Sequence, residues 1–304
     1  MGRFPGSEAD VPGADSDFAP SDGNSPALDE PTGRGRSELA PEGPGALADE
    51  EPPSTLRDAW SWLAFAALGF VGGQVVSYLL LVIVAAVNGQ SSRLQQLTTE
   101  TVPPSWVVVT GLVGLWIGFL TACVVASHTR GSGNLRRDIG LEIRPRDVVI
   151  GPIVGVLGQY LLLWLLYLPL QHVISHLGDK LSQPAKHLTG GFPGADLAVI
   201  AVLTVVVVPV VEESFFRGLL LRSLLRIFQG AGRVVGPALA VVSSGILFGL
   251  AHFEALQLLG LASFGVVLSV MAYRFRRLGP SIFAHATFNL LAVLSVAFPS
   301  GALH

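Results

Sequence analysis

The sequence predicts an all-α fold, a polytopic transmembrane helical bundle of about seven spans behind a disordered N-terminal tail. Three observations carry this expectation. Half of the 304 residues are apolar and only 13% are charged, a balance that a soluble domain of this length rarely shows. The apolar residues gather into continuous stretches instead of alternating over about ten positions, which selects helices over barrel strands. The first 55 or so residues have the opposite composition, polar and rich in proline.

That tail, 1–55, carries nine prolines, many Gly, Ser, Asp and Glu, and few aromatics, so it has too little apolar surface to offset chain entropy. It lacks the basic start, apolar run and small-residue cleavage site of a signal peptide, and the first apolar stretch is expected to be an uncleaved anchor. The formal net charge of -3 is a property of the tail: 12 of the 22 acidic residues but only 3 of the 19 basic ones precede Thr55. The remainder is mildly cationic, which suits an anionic lipid surface. It has no basic stripe with interleaved aromatics, so no nucleic-acid partner is expected. The single cysteine, Cys123, lies in an apolar run and excludes an intrachain disulfide. Seventeen arginines against two lysines, with abundant Ala, Gly and Val, fit a GC-rich bacterial genome.

The stretches run near Trp60 to Val87, Trp106 to Ser127, Val148 to Leu170, Leu197 to Phe216, Ala238 to His252, Leu256 to Tyr273 and Ser281 to Phe298. Arginines fill alternate connections: Arg130, Arg136, Arg137, Arg144 and Arg146 after span two, Arg217, Arg222, Arg226 and Arg233 after span four, Arg274, Arg276 and Arg277 after span six. The other connections hold only Arg93, Lys180 and Lys186. The positive-inside rule then predicts a multi-pass plasma-membrane protein with a cytoplasmic N-terminus and an external C-terminus. No internal repeat is evident, which argues against a transporter built from inverted halves.

Glu212 and Glu213 interrupt the apolar run Val205 to Phe216. A central acidic residue in a span costs about 2.5–3.5 kcal/mol on insertion scales, and such a cost usually marks function. The bland reading is that the pair begins a loop and is solvated there. Arg217 lies four residues after Glu213, so the two share a helical face and can pair, while Glu212 is turned about 100° away and stays available as a base. The same spacing also suits an ordinary helix-end ion pair. Polar residues recur in two later spans: His252 in Phe248-Gly-Leu-Ala-His252, and His285 with Asn289 four positions on, hence on one face. A lone membrane histidine is more often an interhelical hydrogen-bond partner. The combination, however, contains what amide hydrolysis needs: a carboxylate and neutral histidine to activate water, and donors for an oxyanion. There is no GxSxG elbow and no HExxH zinc helix, and the only cysteine is far from the histidines.

The series Glu212-Glu213-Ser-Phe-Phe-Arg217, Phe248-x-x-x-His252 and His285-x-x-x-Asn289 resembles the motifs of the CAAX protease and bacteriocin-processing family, in the order and the membrane setting of that family. The stretch Arg137-Asp138-Ile139-Gly140-Leu141 is similar to one that often precedes the family's core. The resemblance implies an intramembrane endopeptidase acting on membrane-bound peptides or proteins. Its catalytic core would be 197–298, following N-terminal membrane helices and loops at 56–196. It implies Glu212 as general base, His252 as a water-positioning group, His285 and Asn289 as an oxyanion hole, and Glu213 with Arg217 as support or substrate contact. A metal-free site is favoured, because an Asn and a Glu-Arg pair suit oxyanion and carboxylate roles. The alternative is zinc on Glu212, His252 and His285. Two rival readings are a proton-coupled transporter and a non-catalytic immunity or scaffold protein of the same fold.

One expectation sits awkwardly with the rest. A span four ending near Phe216 would leave Glu212 close to the arginine-bearing face, with His252 deeper in the membrane.

Overall fold

A computed structural model describes residues 55–100, 103–178, 180–181, 183 and 194–297. The predicted tail, Lys186 and the C-terminal residues from Phe298 onward lie outside the described residues, apart from Thr55 at the tail's edge. The described residues are helical with no strand, as predicted. Seven long helices form the membrane body: α1 Leu56–Val87, α2 Ser105–Arg130, α3 Asp147–Tyr167, α4 Ala195–Ala231, α5 Val235–Leu250, α6 Leu258–Phe275 and α7 Gly279–Ala297. Five of these, α1 to α4 and α6, are long and apolar enough to cross a membrane.

The helices begin and pack for local reasons. Thr55 caps α1 by accepting from the Asp58 N–H at 3.1 Å. Small residues then let α1 and α2 touch backbone to backbone. A Cβ added at Gly118 would lie 2.3 Å from the Gly69 carbonyl oxygen, and one at Gly114 would lie 2.2 Å from Ser77 Cα. In lipid, where apolar surface gives little drive for association, such close approach supplies the packing. The outward faces stay apolar and exposed, with Leu68, Val71 and Tyr78 on α1 and Val149, Tyr160 and Trp164 on α3 turned to the bilayer.

Span four is longer than the sequence suggested. Arg217 reads as the start of a loop, yet α4 runs for 37 residues to Ala231. The segment Gly218-Leu-Leu-Leu-Arg-Ser-Leu-Leu225 is apolar enough to be packed on all sides. Arg217 and Arg222 are therefore interior residues of α4, 1% and 7% exposed, and not loop charges, while Arg277 lies as expected in the connection after α6 and is buried there. The depth difficulty eases as well. Glu212 falls near the middle of α4, a helix of about 55 Å at 1.5 Å per residue, against a hydrocarbon core of about 30 Å. The short α5 stops at Leu250, so that His252 lies in the turn beyond it and not inside a span.

Two ends of the bundle are knit separately. At one end the segment 131–147 folds over the helix termini. Buried Asp138 accepts from Ser127 Oγ at 2.5 Å and from the Ser132 N–H at 2.9 Å, the Leu278 N–H donates to Gly140 O at 2.9 Å, and Arg277 Nη2 pairs with Asp147 Oδ1 at 2.6 Å. At the other end, Ser105 Oγ donates to Asp196 at 2.9 Å and Gln257 Nε2 to Leu181 O at 2.7 Å.

Candidate active site

Glu212 and Glu213 are adjacent on α4 immediately before a π-helical turn, Ser214–Leu220. Such wide turns are uncommon and cluster at functional sites. This one is held by aromatic packing: Phe215 stacks on Phe119 of α2 with centroids 3.9 Å apart, and Phe216 meets Phe248 of α5 edge-on at 5.2 Å. Gly218 fits against Ile139, to which an added Cβ would approach within 2.7 Å, and Gly140 lies beside Arg222 with φ +69°. The Arg137–Leu141 stretch thus wedges the helix that carries the acidic pair.

Arg217 Nη1 donates to Glu213 Oε1 at 2.8 Å, and both side chains are fully buried. The guanidinium also donates to Gly265 O at 3.0 Å through Nη2 and lies 4.4 Å over the Phe248 ring. Ser269 donates to the same carbonyl at 2.8 Å and lies 3.2 Å from Ser244 Oγ, while Ser244 Oγ lies 3.3 Å from Phe216 O. The two serines bind α5 and α6 to the π-helical turn. The pair is therefore no helix-end bridge and no solvated loop start: it is a desolvated, charge-balanced unit inside the bundle.

His285 projects from α7 onto this unit. Its Nδ1 lies 3.0 Å from Glu213 Oε1 and its Nε2 lies 3.9 Å from Glu212 Oε2. A carboxylate paired with arginine only accepts, so Nδ1 is the donor, and in the tautomer that carries its hydrogen there Nε2 faces Glu212 as an acceptor. His252 follows the same logic, because its Nδ1 is 2.8 Å from the Phe248 carbonyl, another pure acceptor. The Phe248 ring stands edge-on between the two, 4.8 Å from His252 and 5.6 Å from His285. Glu212 Oε2 is buried with no hydrogen-bond partner among the described residues.

Glu212, His252, His285 and Asn289 line one cavity of about 590 Å³, with apolar walls from Leu163, Val208, Phe264 and Phe288. It extends toward the end of the bundle that holds Gly178, Leu181, Glu254 and Ser295. Asn289, one turn beyond His285, donates through Nδ2 to Thr204 O at 2.9 Å. Thr204 lies in a second π-helical turn, Leu203–Val207, where the Val208 N–H donates to Leu203 O and Pro209, five residues on from Thr204, has no N–H to give. Asn289 thus has one amide hydrogen engaged and one to offer. Tyr167, which the sequence did not single out, fixes the wall behind His252: its hydroxyl donates to Leu256 O at 2.9 Å and accepts from the Gly260 N–H at 3.1 Å.

All six residues picked out by the sequence surround one region. Glu212 and His252 face the cavity, Glu213 and Arg217 lie behind it, His285 joins the two layers, and Asn289 stands one turn along the wall. Among the described residues no three His, Cys, Asp or Glu side chains converge as a metal-holding group.

Residues 194–291, spanning α4 to most of α7 and containing all six, match the family model of type II CAAX prenyl endopeptidase Rce1-like proteins. The match agrees with the family that the motifs resemble. No curated protein and no solved structure matches the chain.

Proposed function

We propose that this chain is an intramembrane endopeptidase that hydrolyses membrane-associated peptides with a water activated by Glu212. The observation that carries the proposal is the 3.9 Å spacing of Glu212 Oε2 and His285 Nε2 on one cavity wall, with Glu213 already neutralised by Arg217. A water oxygen fits across that spacing at about 2.8 Å from both atoms. It donates one hydrogen to Glu212 and the other to the bare Nε2, which leaves a lone pair for the substrate carbonyl. On attack the C–O bond forms, Glu212 takes the proton, and the tetrahedral intermediate carries the negative charge. Collapse breaks the C–N bond as Glu212 returns the proton to the leaving nitrogen.

In this scheme Asn289 supplies the oxyanion donor with its second amide hydrogen. His285, with Nδ1 committed to Glu213, holds the water and donates from Nε2 only as imidazolium. Glu213 and Arg217 are positioning residues that set the ring's tautomer and angle, and His252 borders the same space from the turn after α5. Endopeptidase activity of the CAAX type is what the family match supports, with a lipid-modified, bilayer-borne chain as the substrate class. A transporter reading gains nothing from the geometry, because the charged groups pair with one another and do not continue as a relay into α1, α2 or α3.

The test is purified protein in detergent with a farnesylated, internally quenched peptide ending in cysteine, two aliphatic residues and a variable residue. Cleavage that persists after chelation in protein shown by elemental analysis to be metal-free is the expected result. Stoichiometric zinc that is lost with activity in His285→Ala but retained in Asn289→Ala contradicts the metal-free scheme. The orientation is part of the same proposal: Arg130, Arg136, Arg137, Arg144, Arg146 and Arg274 keep their end of the bundle in the cytoplasm. A reporter fused after Arg277 is expected to read as cytoplasmic and one fused at His304 as external, and the reverse pattern inverts the model.

A further inference from the structure

We propose that Gln159 is a substrate-positioning residue whose Oε1 accepts a main-chain N–H of the bound peptide. This rests on the endopeptidase reading above and names how that site grips its substrate. Gln159 lines the same cavity as Glu212, His285 and Asn289 but belongs to α3, outside the segment that carries the family match. Its Oε1 is buried with no hydrogen-bond partner among the described residues. A buried amide carbonyl without a partner is costly to keep and is usually paired.

The position is fixed with care for a residue in a lipid-facing helix. Gln159 lies in the third π-helical turn, Leu157–Leu162. The preceding residue, Gly158, presses its backbone onto Phe264, where an added Cβ would come within 2.6 Å of Cε2. Phe264 in turn stacks on Phe288 at 4.1 Å and meets the His285 ring edge-on at 6.5 Å. Gln159 is thereby held in register with the catalytic histidine through a stack of aromatic rings. Two of the three π-helical turns thus put a polar group on the cavity wall, Gln159 directly and Thr204 through Asn289.

An extended peptide offers one N–H and one C=O per residue. The cavity offers an amide acceptor on α3 and an amide donor, Asn289, on α7, with apolar surface between them. An acceptor in that setting selects a secondary amide at one substrate position and disfavours proline, an N-alkyl residue or an ester there.

The test is an N-methyl scan of the farnesylated peptide, one backbone nitrogen at a time. Binding is read by fluorescence anisotropy on full-length Glu212→Gln protein, with and without Gln159→Leu, and cleavage is read separately on wild type. One methylated position is expected to weaken binding about 5- to 10-fold when Gln159 is present and to have no further effect in Gln159→Leu, which itself weakens the parent peptide by the same factor. In cleavage the same loss appears in KM and not in kcat. A flat scan on protein that retains Gln159, independent losses in the Gln159→Leu background, or no saturable binding overturns the inference. Should Gln159→Leu fail to fold, the scan on protein that retains Gln159 decides alone. Non-additive binding with no cleavage by wild type overturns the endopeptidase reading and leaves this one standing.

Discussion

Glu212→Gln is expected to lower peptide cleavage by about 10³-fold or more while leaving the fold intact. General-base catalysis contributes about 10²- to 10⁴-fold, and glutamine, nearly isosteric, cannot take the proton of the attacking water. Stability is expected to hold or rise, because Glu212 Oε2 has no hydrogen-bond partner among the described residues and a neutral amide is cheaper to bury than a carboxylate. Activity and thermal midpoint measured on one preparation separate the two effects. Full activity in purified Glu212→Gln would remove glutamate from the mechanism, and lost activity with a collapsed midpoint would make its role structural.

Arg217→Met is expected to be the most destabilising single change in the core. It deletes the guanidinium paired with Glu213 and strands a carboxylate whose side chain is fully buried, a loss of about 3–5 kcal/mol for a broken buried pair. That is a large share of the about 5–15 kcal/mol that holds a typical domain. Glu213→Gln should cost less, since a neutral acceptor still faces the guanidinium. Glu213→Gln/Arg217→Met should recover much of the loss, because no charge is left unpaired. Thermal denaturation of the three variants in detergent reads this cycle. Strict additivity would mean that the 2.8 Å pair does not couple in solution.

The residues most legible in the sequence were those whose cost in lipid is highest. Charged and imidazole groups stand out against Val and Leu, and their four-residue spacing on a helix of 3.6 residues per turn sets Glu213 with Arg217 and His285 with Asn289. The end of span four is hidden in the sequence because an arginine in an apolar run looks like a loop, whereas Arg217 is held by Glu213 one turn back and by the distant Gly265 carbonyl, and Arg222 is buried beside Gly140. The three π-helical turns left no trace in the sequence, since an extra residue in a helix changes no periodicity over so short a run. Gln159, Tyr167, Ser244 and Ser269 were missed for a related reason. A single uncharged polar residue in a span is cheap enough to pass as packing, and only the cavity and the hydrogen bonds distinguish these four.

The unequal setting of the two glutamates, one paired with Arg217 and one facing the cavity, is the feature that tertiary structure adds. Sequence spacing allows Glu213 to pair and Glu212 to stay available, but the tautomer of His285 depends on which carboxylate touches Nδ1. With Glu213 in that place, the imidazole is turned so that its basic nitrogen and Glu212 flank one small volume.

The central claim is that Glu212 serves a peptide-cleaving reaction in the membrane. The most direct measurement is mass spectrometry of membrane-derived peptides from cells carrying either wild-type protein or Glu212→Ala at matched expression. The account predicts a set of new termini sharing one cut-site pattern, present with wild type and absent with Glu212→Ala. Identical peptide profiles in the two strains, or termini that persist without Glu212, would contradict it.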